Sequence, residues 1–175
     1  YVAVLIGFVS GVNASDKPPN IVIILADDLG WNDVGYHGSE IRTPNIDRLA
    51  AEGVVLERFY AQATCTPTRA ALLSGKSPQS LGIYQPFSKL IPTGLPLTER
   101  LLPEYLQDVG YQTALIGKWH LGFREAAYHP LSRGFEHFYG NVTGGVGFWD
   151  HVHGGGLDWQ RNGATLREEG YATHL

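Results

Sequence analysis

The most reactive group in this chain is its single cysteine, Cys65, which stands in the sequence Cys65-Thr66-Pro67-Thr68-Arg69. We expect Thr66 to cap a helix and Pro67 to take the first helical position, where a missing N–H is no loss. Cys65 would then precede a helix N-terminus, whose free N–H groups and dipole favour an anion. Arg69 lies one turn further in and can point back to the same place. The segment predicts a reactive side chain beside an anion-binding site.

A lone cysteine also has two ordinary structural interpretations. Cysteine is most often a small buried hydrophobic residue. In a secreted protein, an odd cysteine can also pair with another chain. Taken alone, Cys65 fits the structural interpretation better, and its neighbours are what favour chemistry.

Two adjacent carboxylates, Asp27 and Asp28, follow the continuous apolar run from Ile21 to Ala26. Such a run is typical of a strand that is buried on both faces of a parallel sheet. Paired carboxylates at the end of a buried strand are unfavourable unless a cation joins them, and hard oxygen ligands suit Ca²⁺ or Mg²⁺. An Asx turn or a helix cap explains the same residues. From the two aspartates alone, both interpretations stay open.

Lys118 and His120 alternate along an extended segment, so both can face the same side of the chain. Their ordinary interpretations are a solvated lysine and a hydrogen-bonded loop histidine. The pair His151 and His153 has the same spacing and could suit a metal, but no third ligand is evident, so we favour a cleft or surface loop. The remaining histidines are interpreted as structural: His37, His129, His137 and His174.

Strand and helix patterns alternate along the chain. We predict strands at 21–26, 54–60 and 111–116, and helices that open at Thr43-Pro44, at Thr66-Pro67 and at Pro103 and end at Gly53, Gly75 and Gly110. Residues 79–96 are predicted to form a long loop, and the glycine- and aromatic-rich part from Arg133 onward to form loops with weak strands. This alternation predicts an α/β fold with a largely parallel central sheet flanked by helices.

The three candidate groups each follow a predicted strand. Asp27 and Asp28 follow the first strand, Cys65 follows the second after a short link, and Lys118 and His120 follow the third. In open α/β sheets, ligands bind beyond the carboxyl ends of the strands. We therefore expect all three groups to converge on one edge of the sheet.

Three segments resemble the motifs of the sulfatase family. The run from Cys65 to Arg69, followed by Leu72-Leu73-Ser74-Gly75, resembles the first sulfatase signature. Gly110 to His120 resembles the second signature, and Pro19 to Gly30 resembles the family's first strand with its metal-binding aspartates. The resemblance extends from Pro18 to about Asn162 and is closest to arylsulfatase B-like enzymes. One departure is Thr68, where serine is commoner, although the hydroxyl is kept.

The resemblance implies an alkaline-phosphatase-like catalytic domain that hydrolyses sulfate esters through a modified cysteine. A formylglycine-generating enzyme would oxidise Cys65 to Cα-formylglycine. One hydroxyl of the hydrated aldehyde would attack the sulfate ester, and the other would expel sulfate and regenerate the aldehyde. A thiol or a serine lacks that second hydroxyl.

The remaining site residues receive their roles from the same resemblance. Asp27, Asp28 and residue 65 would supply part of a site for one Ca²⁺ ion, whose other ligands lie beyond position 175. Lys118 would bind a sulfate oxygen, and His120 would hydrogen-bond the formylglycine hydroxyl. Arg69 would orient and stabilise the formylglycine.

The implied substrate is an aryl sulfate or a sulfated glycosaminoglycan sugar, with N-acetylgalactosamine 4-sulfate suggested by the likeness to arylsulfatase B. Two alternatives stay open. A phosphonate or phosphate monoester hydrolase of the same superfamily would share Cys65 and the aspartates. A secreted, non-catalytic sulfoglycan-binding relative would be expected to lose Cys65, Arg69 or an aspartate, and all of these are present.

The two ends of the chain suggest a secreted protein that continues beyond position 175. We interpret the apolar residues 1–14 as a signal-peptide remnant, since a transmembrane helix needs about 20 apolar residues. Asn141-Val142-Thr143 is an N-glycosylation sequon, which fits a secretory route to the lysosome or the exterior. Residues 18–175 would be the N-terminal part of a sulfatase domain, inactive by itself because three metal ligands are too few for Ca²⁺. A net charge of −4 argues against a nucleic-acid partner.

Overall fold

The computed structural model describes residues 18–174 apart from positions 89 and 91, so the predicted signal-peptide remnant, residues 1–14, lies outside the described residues. Helices α1, α2 and α3 span Pro44–Glu52, Cys65–Ser74 and Leu102–Asp108. Strands β1 to β6 span Ala114–Ile116, His137–Gly140, Val152–His153, Gly156–Leu157, Gln160–Arg161 and Ala164–Thr165. Within this described part, no helix has the length and apolar character needed to cross a membrane.

The central sheet has the strand order β1-β2-β5-β6 and is mixed. β1 and β2 are parallel, with Ala114 opposite His137 and Ile116 opposite Tyr139. β5 pairs antiparallel with both β2 and β6. The β5–β6 hairpin turns at Asn162-Gly163, where both residues have positive φ, as the tightest hairpin turns require. The predicted α/β arrangement is therefore present, but the described sheet has one parallel pair where we expected a largely parallel sheet.

Two predicted strands are absent from the sheet. Residues 21–26 are extended but pair with no strand, and Val22 and Ile24 are 81% and 83% exposed. Residues 54–60 likewise form no strand and contain a turn in which the Phe59 amide bonds the Leu56 carbonyl. Both predictions were wrong for the same reason: apolar β-branched residues show that a segment suits a strand, but a strand also needs a neighbour to pair with.

The helices follow the predicted stop signals closely. α1 begins at Pro44 and ends before Gly53, and α3 ends at Asp108, two residues before Gly110. α2 is capped by Gly75, which has the left-handed conformation and donates its amide to the Ala71 carbonyl. The start of α2 differs from the prediction, because Thr64 is the N-cap and Cys65 is already the first helical residue.

The core lies directly beneath the segment that carries Lys118 and His120. Trp119 is 1% exposed and packs in one cluster with Phe138 of β2 and with Leu95 and Leu101. Its indole N–H donates to the carbonyls of Gly122 and Tyr128, at 3.1 and 2.9 Å. Because Trp119 is anchored by both packing and hydrogen bonds, the residues on either side of it are held in place.

A close backbone approach joins the end of β2 to the segment after β1. Gly140 has φ 142°, and a Cβ atom there would overlap the carbonyl of Gly117. Gly163 also has a positive φ of 84° but has open space around it. An alanine at Gly163 would therefore meet backbone strain alone, whereas an alanine at Gly140 would meet both strain and steric overlap.

We predict that G140A destabilises the full-length protein far more than G163A does. G163A should lower the free energy of unfolding by about 1 kcal/mol, the strain of a left-handed residue. G140A should cost about 3 kcal/mol, because backbone must move against backbone. Denaturant unfolding of both variants measures the difference, and equal losses would show that the approach to Gly117 is unimportant.

Candidate active site

Cys65 lies in the first turn of α2, where the helix leaves several backbone N–H groups without helical partners. Its side chain is half-buried, and its Sγ lies 3.1 Å from Nδ1 of His120. The Thr68 hydroxyl donates to the Thr64 carbonyl at 2.9 Å and accepts from the Gln62 amide at 3.1 Å. Threonine at position 68 therefore anchors the approach to the helix through its hydroxyl, the group it shares with serine.

His120 is a neutral hydrogen-bond acceptor toward Cys65. Its Nε2 lies 3.2 Å from the Phe87 carbonyl, which can only accept, so Nε2 carries the proton. Burial lowers the pKa of His120 to about 4; the Phe87 carbonyl opposes this shift, and the charges of Lys118 and Arg69 add to it. Nδ1 therefore has a free lone pair at neutral pH, and it accepts the Cys65 S–H.

The backbone of His120 is held in an uncommon conformation. Its φ is 55°, in the left-handed region, which a non-glycine residue adopts only where its surroundings enforce it. The Thr66 hydroxyl donates to the His120 carbonyl at 3.0 Å, and the His120 amide donates to the Val142 carbonyl at 3.1 Å. The same Thr66 hydroxyl accepts the Phe87 amide at 3.3 Å. One buried hydroxyl thus ties together both segments that orient the imidazole.

A carboxylate between two cations forms the charged part of the site. Lys118 Nζ lies 2.7 Å from one oxygen of Asp27, and Arg69 Nη2 lies 3.3 Å from the other. Arg69 Nη1 also donates to the Lys118 backbone carbonyl at 2.6 Å. Partial burial by itself would raise the pKa of Asp27, but its bond to Lys118 and the charges of Lys118 and Arg69 outweigh this and lower it. Asp27 is therefore ionised.

Asp28 lies beside this network without joining it. Asp27, Asp28, Cys65 and Arg69 line one cavity, and Asp28 has a left-handed backbone with φ 59°. Among the described residues, no group of three or more His, Cys, Asp or Glu side chains is arranged to hold a metal ion. The two adjacent carboxylates do suit a hard cation in their chemistry, and they are an incomplete ligand set.

The structure brings together five of the residues predicted from the sequence. One set of contacts joins Asp27, Arg69 and Lys118, of which Asp27 and Lys118 lie 91 positions apart. A second contact joins Cys65 to His120, and one cavity lined by Asp27, Cys65 and Arg69 brings the two sets together. Asp28 joins them only by lining the same cavity.

Asn141, the predicted glycosylation site, is buried in the structure. Its side chain is 5% exposed, and its Nδ2 donates to the carbonyl of Thr143 at 2.9 Å. A glycan would replace one of the two hydrogens of this nitrogen, and it would require the buried Nδ2 to become accessible. Glycosylation at Asn141 therefore stays a prediction, and it would require a more exposed conformation of this side chain than the one described.

His151 is a packed structural residue. It is 1% exposed and stacks on Trp159 with ring centroids 4.7 Å apart. Its neighbour His153 lies in β3, which pairs with β4. The alternative of a metal at these two histidines finds no third ligand within the part of the chain that the structure describes.

Sequence reasoning missed three contributors to the site. The Phe87 carbonyl sets the tautomer of His120, the Thr66 hydroxyl supports its backbone, and Gly144 lies against its ring. A backbone carbonyl leaves no sequence signal, and Gly144 is one of several glycines in a glycine-rich stretch. Only Thr66 was visible, and we had assigned its hydroxyl to a helix cap.

Comparison with known proteins identifies the family. The family model described as Sulfatase matches residues 19–173, so the chain belongs to the sulfatase family. It is 45% identical over 139 residues to arylsulfatase J of Mus musculus, covering 79% of this chain and 23% of that protein. It is 39% identical over 172 residues to N-acetylgalactosamine-6-sulfatase of Homo sapiens, covering 90% and 33%. The chain thus spans about a third or less of the length of these curated relatives.

Solved structures confirm the predicted alkaline-phosphatase-like α/β fold class. The crystal structure of Ps i-CgsB matches with a TM-score of 0.77 and 30% identity, covering 90% of this chain and 39% of that one. The PsFucS1 sulfatase from Pseudoalteromonas sp. matches with a TM-score of 0.66 and 38% identity, covering 77% and 28%.

We predict that T66V lowers the free energy of unfolding of the full-length protein by roughly 1–3 kcal/mol, the cost of unsatisfied buried polar groups. Valine has nearly the same shape but cannot bond the His120 carbonyl or the Phe87 amide. T66S keeps the hydroxyl and is the matched control. Thermal or denaturant unfolding should rank T66V well below T66S, and equal stability would contradict this role.

Proposed function

We propose that the protein containing this chain hydrolyses sulfate esters with a nucleophile derived from Cys65. The observation that carries the proposal is the contact between Cys65 Sγ and His120 Nδ1 at 3.1 Å, beside the cations Arg69 and Lys118. Membership of the sulfatase family supports the reaction class. Formylglycine at position 65 would supply a carbon with two hydroxyls when hydrated.

His120 would act on the hydroxyls of residue 65. Its lone pair on Nδ1 is directed at that side chain, and its Nε2 proton is engaged by the Phe87 carbonyl. With a pKa of about 4, the ring is unprotonated at neutral pH and can accept a hydrogen bond or a proton there. This arrangement would favour nucleophilic attack by the oxygen that replaces Sγ.

Lys118 and Arg69 would stabilise the negative charge of the sulfate group. Their side chains are 13% and 10% exposed, and preorganised charges act strongly in a site with little water. Arg69 also donates to the Lys118 backbone carbonyl at 2.6 Å, which fixes the guanidinium relative to the segment that carries Lys118. The buried Nε of Arg69 has no hydrogen-bond partner among the described residues.

Asp27 and Asp28 would hold a Ca²⁺ ion together with residue 65 and ligands from elsewhere in the protein. Asp28 lines the same cavity as Cys65 and has no hydrogen-bond or ion-pair partner among the described residues, which supports this assignment. A bound cation would add positive charge facing the sulfate oxygens.

The substrate we propose is a sulfated sugar of a glycosaminoglycan. N-acetylgalactosamine-6-sulfatase is among the relatives of this chain. The likeness of the sequence motifs to arylsulfatase B suggested N-acetylgalactosamine 4-sulfate instead. One structural relative was solved in complex with k-i-k-neocarrahexaose, which also favours an oligosaccharide. Such a substrate fits the proposed secretory location, lysosomal or extracellular. Assays with N-acetylgalactosamine 4-sulfate, the 6-sulfate and a phosphate monoester would separate these possibilities from a phosphate ester hydrolase.

We predict that Cys65 is formylglycine in full-length protein produced with a formylglycine-generating enzyme. Trypsin releases the peptide from Phe59 to Arg69, which contains Cys65 and no other cysteine. Mass spectrometry of this peptide should show the aldehyde or its hydrate in place of the thiol. Fully active enzyme whose peptide carries an unmodified thiol would overturn the proposed nucleophile.

We predict that K118A and H120A each lower the turnover of a sulfate ester by roughly 10²–10³-fold, the usual effect of removing one preorganised group. The matched controls are K76A, an exposed lysine paired with Glu99, and H174A, at a histidine whose ring lies against Tyr171. Both controls should retain parental turnover. Parental rates in K118A or H120A would show that the site lies elsewhere.

A further inference from the structure

A buried carboxylate outside the described site clamps the loop that follows β2. Asp158 is 8% exposed. One of its oxygens accepts the Val142 amide at 3.1 Å, and the other accepts the Thr143 amide at 2.8 Å and the Thr143 hydroxyl. Both oxygens are therefore occupied by donors from two consecutive residues, and no ion pair to Asp158 is present in the described part of the chain.

The clamped loop forms one wall around His120. Its Val142 carbonyl accepts the His120 amide at 3.1 Å, and its Asn141 carbonyl accepts the Trp119 amide at 3.0 Å. Gly144 lies against the imidazole, since a Cβ atom at this position would come within 2.7 Å of Cε1. The loop therefore contacts both the backbone and the imidazole ring of His120.

The burial of Asp158 restricts the positions that Val142 and Thr143 can adopt. A buried carboxylate is unfavourable unless it is well hydrogen-bonded, and charge-assisted bonds to backbone N–H groups are strong. Any shift of Val142 or Thr143 would leave the buried charge partly unsatisfied. The loop is thus confined to one position, and the left-handed backbone of His120, which needs external support, is confined with it.

We propose that Asp158 is a positioning residue for His120, acting through residues 142–144. Asp158 donates nothing to the substrate or to residue 65; it fixes the wall that keeps Nδ1 of His120 directed at residue 65. This inference rests on the proposed function for its catalytic readout.

The test uses full-length enzyme, normalised for formylglycine content. D158N has one acceptor oxygen left, and its amide group would face a backbone N–H, so the clamp should open. The expected result is a fall in kcat of up to roughly 100-fold, the effect of a misplacement of about 1 Å, with KM nearly unchanged. G144A should act in the same direction, because its backbone conformation accepts alanine and only the ring is displaced.

A control variant and two milder variants of Thr143 complete the experiment. E104Q alters a carboxylate that bonds the Leu101 amide at 2.7 Å, at the start of α3, and should leave kcat unchanged. T143V removes only the hydroxyl donor and should lower kcat by a few-fold, whereas T143S should restore it. If D158N is not recovered as folded protein, the T143V and T143S comparison decides.

Two outcomes would overturn the proposal. One is parental kcat in D158N, or in both T143V and T143S, at normal formylglycine content. The other is an unchanged distance between His120 Nδ1 and residue 65 in crystal structures of wild type and D158N. If the wild-type enzyme cleaves no sulfate ester, the proposed function fails, and the crystal structures still decide the role of Asp158.

Discussion

The Asp27 carboxylate is the contact on which the rest of the site depends. It joins the N-terminal segment to Arg69, which lies 42 positions away in α2, and to Lys118, which lies 91 positions away after β1. The apolar side chains that precede Asp27 are largely exposed, so packing contributes little to holding this segment. A bond from the Tyr111 hydroxyl to the Pro19 carbonyl, at 2.8 Å, also fixes this segment.

Different residues of the site carry the positive charge and the proton acceptor. Arg69 and Lys118 share one carboxylate and hold the positive charge on one side of Cys65. Burial of His120, with a smaller contribution from these two charges, lowers its pKa to about 4 and keeps the imidazole neutral. A neutral acceptor and two cations can therefore coexist in one site without competing for the same proton.

The local elements were the most predictable part of the fold. Pro44 and Gly53 bracket α1 because proline suits the first helical turn and glycine suits the stop, and α2 ends at Gly75 for the same reason. The runs at 21–26 and 54–60 were predicted as strands and are not, because pairing depends on which segments lie alongside. The residues of β2 were predicted to lie in a loop-rich region with weak strands, yet β2 is the strand that pairs with β1.

The sequence by itself determined the kinds of chemistry available: a cysteine at a helix start, an arginine one turn on, paired carboxylates, and a lysine and histidine after a strand. These are local patterns, and local spacing is enough to identify them. Only the tertiary structure decided which Asp27 oxygen meets which cation, which His120 nitrogen carries the proton, and that Asn141 is buried. Each of these depends on groups brought from distant positions, such as the Phe87 carbonyl, and a backbone carbonyl has no identity in the sequence.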